Sequence, residues 1–218
     1  CPLLVPGRGF CDPPCGAGSI CVKDGRCETP PIAQNVGSVT VKGLRTVSGM
    51  EEISIDPTNN IYESSEGLLY PPFSEGDDIT LEADGSSFVT AFSLSTRGVA
   101  PLEGVFCDTE SLRALTTKNR RRIIDEDLSI AWTPSSHDGV SRIHVEFELG
   151  IHGGIKGKIA CDTEDIGSLT IAARLLQKLT LLDTPGMPML LISRRASVST
   201  STSAGKIDLV VSSGFVLL

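Results

Sequence analysis

Residues 127–150 read DLSIAWTPSSHDGVSRIHVEFELG, and this stretch decides the fold. Leu128, Ile130 and Trp132 fall on one face of an alternating run, and Ile143, Val145, Phe147 and Leu149 do the same in the next. A period of two predicts strands with one buried side. Ser135 to Ser141 forms a turn-rich connector between them.

The same period continues outward on both sides. Val39 and Val41 alternate with Ser38, Thr40 and Lys42, and Ile53 and Ile55 with Glu52, Ser54 and Asp56. Ile79, Leu81 and Ala83 repeat the scheme in DITLEAD, and it resumes over 88–95 after the Asp84-Gly85 turn, so these two runs read as a hairpin. Further strands are expected at 154–161, 189–199 and 206–218. About nine or ten short strands at this spacing predict an all-β fold, an antiparallel immunoglobulin-like β-sandwich. One segment departs from it. In SLTIAARLLQKL, Ile171, Leu175, Leu176 and Leu179 recur at helical spacing, which predicts one short amphipathic helix capping the sandwich.

Five of the seven cysteines lie in the first 27 residues. Cys11, Cys15, Cys21 and Cys27 sit in CDPPCGAGSICVKDGRC, which has turn signals and too little apolar material to fold without bridges, so they read as a two-disulfide knot. Three pairings within it are open. A zinc site from these thiolates would require other spacings and a reducing compartment. Pro30-Pro31 then marks a boundary, giving a small disulfide-rich module over 1–29 and a sandwich domain over 30–218. Parity turns both Cys107 and Cys161 into the core at strand ends, which makes them the third pair or else two buried free thiols. A bridge there would contribute roughly 4 kcal/mol by restricting the unfolded chain. Cys1 is left over, in the position where a lipoprotein carries its diacylglycerol thioether, so it is the expected lipidation site. Pro2 is not the aspartate that marks inner-membrane retention, which makes the outer membrane the expected destination. No apolar run approaches the roughly 18 residues of a spanning helix.

Charge is blocked along the chain. Between Glu51 and Asp84 there are ten acids and no Lys or Arg, whereas Lys118, Arg120, Arg121 and Arg122 form a basic run with Arg113 close by. Such blocks suit solvated loops, and they also suit complementary association, with Arg120, Arg121 and Arg122 as the partner-binding residues. A net charge of −8 argues against nucleic acid. Calcium is the one cofactor to weigh, at Asp77 and Asp78 or at Asp162, Glu164 and Asp165, although no EF-hand spacing occurs.

Catalytic constellations are scarce. His137, His144 and His152 lie in a turn, on the polar face of a strand and in a Gly-rich turn, and read as isolated surface histidines. Ser135-Ser136-His137-Asp138 has triad residue types, yet adjacent residues cannot adopt triad geometry. There is no G-x-S-x-G elbow, phosphate-binding loop or H-E-x-x-H. An enzyme is not expected.

Over residues 70–212 the chain resembles a group of uncharacterised secreted lipoproteins of predatory and gliding deltaproteobacteria. The resemblance rests on Gly76, Phe92, Trp132-Thr133-Pro134, Cys161-Asp162 and Arg194-Arg195, and CDPPCGAGSICVKDGRC is similar to small EGF-like modules. It implies a cell-surface or outer-membrane address and no activity. The expected function is that of a non-catalytic, lipid-anchored structural or interaction subunit of an envelope assembly, with other envelope proteins as partners. The alternative is a secreted carbohydrate-binding module, for which one Trp and two Tyr are a thin aromatic supply.

Overall fold

The computed structural model describes residues 1–4, 15–21, 27–29, 32–107, 110–111, 126–137, 139–151, 154–181 and 187–217. Strands β1 (Leu3–Leu4), β2 (Ile20–Cys21), β3 (Cys27–Glu28), β4 (Val39–Lys42), β5 (Glu52–Ile55), β6 (Asp78–Ala83), β7 (Phe92–Arg97), β8 (Phe106–Cys107) and β9 (Glu110–Ser111) come first. They are followed by β10 (Leu128–Ala131), β11 (Arg142–Ile151), β12 (Gly154–Glu164), β13 (Ser168–Ile171), helix α1 (Ala173–Thr180), β14 (Met187–Thr202) and β15 (Gly205–Leu217). The fold is antiparallel and nearly all β, as the alternation predicts. The strands form four sheets, ordered β1-β12-β11-β14-β15, β13-β10-β8-β9, β5-β4-β6-β7 and β2-β3.

Two cores result, because the long hairpin β14–β15 is shared. Its even-numbered β14 residues face inward. Leu190 and Ile192 join Ile143, Val145, Phe147, Ile159, Cys161, Leu128, Ile130 and Trp132 in the first core. Ala196, further along the same face, joins Val211, Ile79, Phe73 and Val99 in the second, under the β5-β4-β6-β7 sheet. Alternation is what places each of these side chains, since every second residue points to one face.

Helix α1 starts two residues later than the apolar pattern suggests. Ile171 ends β13, and Leu176 and Leu179 are the fully buried helical residues packed on the first core. Its first amide is capped from outside the helix, Ala173 N donating to Asp127 Oδ1 at 2.7 Å. The second half of the predicted hairpin also shifts. Ala83 pairs with Phe92, and Phe88 lies exposed in the connection.

The cysteines bring the largest correction. β1 pairs antiparallel with β12, Leu3 opposite Ile159 and Leu4 opposite Lys158, a register that sets Cys1 against Cys161. These two form a disulfide. The Cys1 sulfur is therefore not a lipid thioether, and Cys161 does not pair with Cys107, whose strand β8 lies beside β10 in the facing sheet. Residues 1–4 consequently extend the large sheet. Cys15 pairs with Cys27 inside the expected knot, and Cys21 lies opposite Cys27 in β2 and β3. Cys11 is outside the described residues.

Candidate interaction site

Arg194 lies on the inward face of β14 between the two cores and is 2% exposed. Its Nε donates to Asp165 Oδ2 at 2.6 Å and its Nη2 to Thr133 O at 2.6 Å. Nη1 donates to Pro101 O at 2.8 Å and Ala100 O at 3.3 Å. Asp165 also accepts from Trp132 Nε1 and Ser141 Oγ, both at 2.7 Å. Burial pushes its carboxyl up, but the bonds from Arg194, Ser141 and Trp132 outweigh that and hold it below the ordinary aspartate range. A buried charge pair is tolerable only when saturated in this way.

A second polar cluster, at the surface, joins the two lobes, one built around each core. Glu75, in the loop before β6, accepts from Ser135 Oγ, from Ser136 Oγ at 2.6 Å and from Ser136 N at 3.2 Å. His137 Nδ1 stands 3.4 Å from it. Burial raises the Glu75 pKa, and these donors more than reverse this, bringing it to about 2. Gly76, in the left-handed region at φ 85°, leaves room for the ring, since a Cβ there would come within 3.3 Å of His137 Nε2. Ser, His and an acid do meet here, through a loop that sequence adjacency does not reveal. Both hydroxyls donate to the carboxylate, and Ser136 Oγ also stands 3.1 Å from His137 Nδ1.

On the outer face of the large sheet, His144 is bracketed by Asp162 (2.8 Å) and Glu146 (3.0 Å), and Glu146 accepts from Lys158 Nζ at 2.7 Å. The expectation of an isolated histidine is therefore wrong, because strand register brings 144 and 162 opposite each other. Glu146 is pushed up by burial, but lowered overall by Lys158 and His144. Glu148 is raised, first by burial and then by Glu146. At 4% exposure Glu148 is a structural carboxyl rather than an accessible acid.

Four of the five carboxylates weighed for calcium have protein partners of their own. Asp77 accepts from Ser74 N, Asp78 pairs with Arg97, Asp162 with His144 and Asp165 with Arg194. Among the described residues no group of three or more His, Cys, Asp or Glu is placed to hold a metal. Arg120, Arg121 and Arg122 lie outside the described residues, as does His152.

One further surface feature is a groove the sequence did not announce. Leu68, Leu69, Tyr70, Pro71, Pro72 and Phe73 form one wall of a groove of about 340 Å³. Val99 and Pro101 also line it, and Ser212 and Ser213 of β15 line its far side. The wall is pinned by backbone bonds, Leu69 N to Arg45 O at 2.9 Å, Arg45 N to Pro72 O at 2.7 Å and Val47 N to Gly67 O at 2.8 Å. Pro101 is held from beneath by Arg194, and Ser213 Oγ donates to Ala100 O at 2.8 Å. Leu69 is 49% and Tyr70 79% exposed on this fixed backbone. Apolar side chains exposed around a concavity on a hydrogen-bonded backbone are the kind of surface a ligand or partner can cover. The only hint in sequence is the unalternated run GLLYPPF at 67–73.

No family model matches the chain, and no curated protein is significantly similar to it.

Proposed function

We propose that this chain is a non-catalytic interaction subunit of an exported envelope assembly, its sheets forming an immunoglobulin-like sandwich scaffold. The observation that carries the reading is the groove at 68–73, where Leu69 and Tyr70 stand exposed on a pinned backbone. Two disulfides, Cys1–Cys161 and Cys15–Cys27, support an oxidising compartment, and the resemblance to secreted surface proteins supports a cell-surface address. Attachment through a lipid on Cys1 is not part of this reading. The Ser135-Ser136-Glu75 cluster ties the loop before β6 to the connector after β10, which suits a structural role for it.

The test is photo-cross-linking in the native envelope from a benzophenone amino acid at position 69. A discrete adduct that disappears when Leu68 is replaced by Glu supports the reading, and a chain that gives no adduct at any growth phase overturns it. Replacing Arg120, Arg121 and Arg122 by Glu in the same cells asks whether the basic run contributes to the contact. Tyr70 favours one second reading, a carbohydrate-binding surface, since an exposed ring on a rigid wall suits stacking on a sugar.

A further inference from the structure

The far side of this groove is a sheet edge. β15 pairs with β14 on one side, and among the described residues no strand pairs with its other side. Every second amide and carbonyl of an edge strand points away from its neighbour. Edges are usually blunted by charge, proline or a bulge. From Leu209 to Leu217 β15 carries neither a charged residue nor a proline, and its register with β14 runs without a shift from Thr202–Gly205 to Leu190–Leu217. The opposite edge of the same sheet is treated differently, covered by the two-residue β1 and fastened by Cys1–Cys161. One edge is fastened covalently and the other, among the described residues, is unpaired beside an apolar groove.

Both Ser212 and Ser213 line the groove although they point to opposite faces of the sheet, so the concavity runs along the strand edge itself. Ser213 lies opposite inward-facing Arg194, and Ser212 opposite Arg195. We propose that the groove is a strand-addition site. An extended segment of a partner protein pairs with the outer edge of β15 through main-chain hydrogen bonds and places alternate apolar side chains against Leu68, Leu69 and Tyr70. Charge sets the partner's other residues. None of the residues lining the groove is charged, but its wall belongs to the block from Glu51 to Asp84, which has ten acids and no Lys or Arg, and the guanidinium of nearby Arg45 is turned onto Ser74 Oγ at 2.6 Å. The segment is therefore one alternating apolar with basic or neutral residues, the β-augmentation mode of recognition. This identification rests on the interaction reading above and names its partner chemistry.

The experiment uses the full, oxidised chain and a synthetic nonapeptide, KVTVKVTVK. Two companions are N-methylated at alternate amides, one at odd and one at even positions. A third has Glu for Lys, and cellohexaose serves as a sugar probe. Strand addition slows amide exchange at alternate β15 positions between Leu209 and Ser213 by at least about tenfold. One N-methylated phase loses binding and the other keeps it, the Glu peptide binds more weakly, and the exposed-site variant Leu68→Ser/Leu69→Ser loses binding with its fold unchanged. Equal binding of both N-methylated phases, no change in β15 exchange, or cellohexaose shifting the same residues in place of the peptide overturns the proposal. If the position-69 cross-link forms but the peptide fails these criteria, strand addition falls and the interaction reading stands. If neither occurs, both fall.

Discussion

Arg194 shows what one side chain can require of its surroundings. Five donor contacts tie its guanidinium to Asp165 and to three backbone carbonyls, and the residue is almost wholly enclosed. Removing one member of a buried charge pair strands the other, which costs on the order of 3–5 kcal/mol. Arg194→Met is expected to lower the unfolding free energy by an amount in that range, read as a fall in the urea midpoint at unchanged slope. The double variant Arg194→Met/Asp165→Leu should recover part of the loss, because no carboxylate is then left unpaired. Urea titration of the parent, both single variants and the double variant checks this, and additive losses would mean that the pair is not coupled. The groove should also loosen in Arg194→Met, since Pro101 loses its donor.

At the level of elements, most strands were legible from alternation, and β10, β11, β12, β14 and β15 sit where the period of two places them. Ile143, Val145 and Phe147 are buried as parity demands. Cysteine partnership was not legible. Parity correctly turned Cys161 inward, but which sulfur it meets depends on whether residues 1–4 pair with β12, and a two-residue strand carries no periodic signal. His144 was missed for a related reason, because Asp162 reaches it across a strand pair. The groove was missed because GLLYPPF has no alternation and comes together with β15 only through the tertiary fold. The Cys1–Cys161 bridge closes a loop with a sequence separation of 160. In the chain-entropy model that corresponds to roughly 5 kcal/mol. Non-reducing peptide mapping should recover the peptide of Cys1 joined to that of Cys161. In Cys1→Ser, amides of β12 near Ile159 should exchange faster as β1 detaches; an acylated Cys1 or a Cys107–Cys161 peptide would overturn the assignment.

Across the whole molecule, the two lobes meet at the shared hairpin, at Arg194 and at the Glu75 clamp. The last of these is sensitive to acid. The folded pKa of Glu75 is depressed from 4.5 to about 2, so its stabilising contribution is fully present above the ordinary glutamate range and is lost as pH falls towards about 2. Glu75→Gln should therefore lower stability at neutral pH and flatten the stability profile between about pH 4.5 and 2, as followed by the thermal midpoint with Trp132 fluorescence. A parallel profile in parent and variant would remove Glu75 from the acid response. The disulfide between the first strand and β12 also gives the molecule a mechanical property. A pull applied at residues 1 and 217 passes directly from Cys1 into Cys161, so residues 2–160, with the β5-β4-β6-β7 sheet and one wall of the groove, lie inside a covalent loop and outside the covalent force path. Only the stretch from 161 onward, including the hairpin whose free edge forms the other wall, is under load. Stretching the chain would thus draw the β15 side of the groove away from the 68–73 side, taking Ala196 and Val211 out of the second core, and a strand held between the two sides would be released by force.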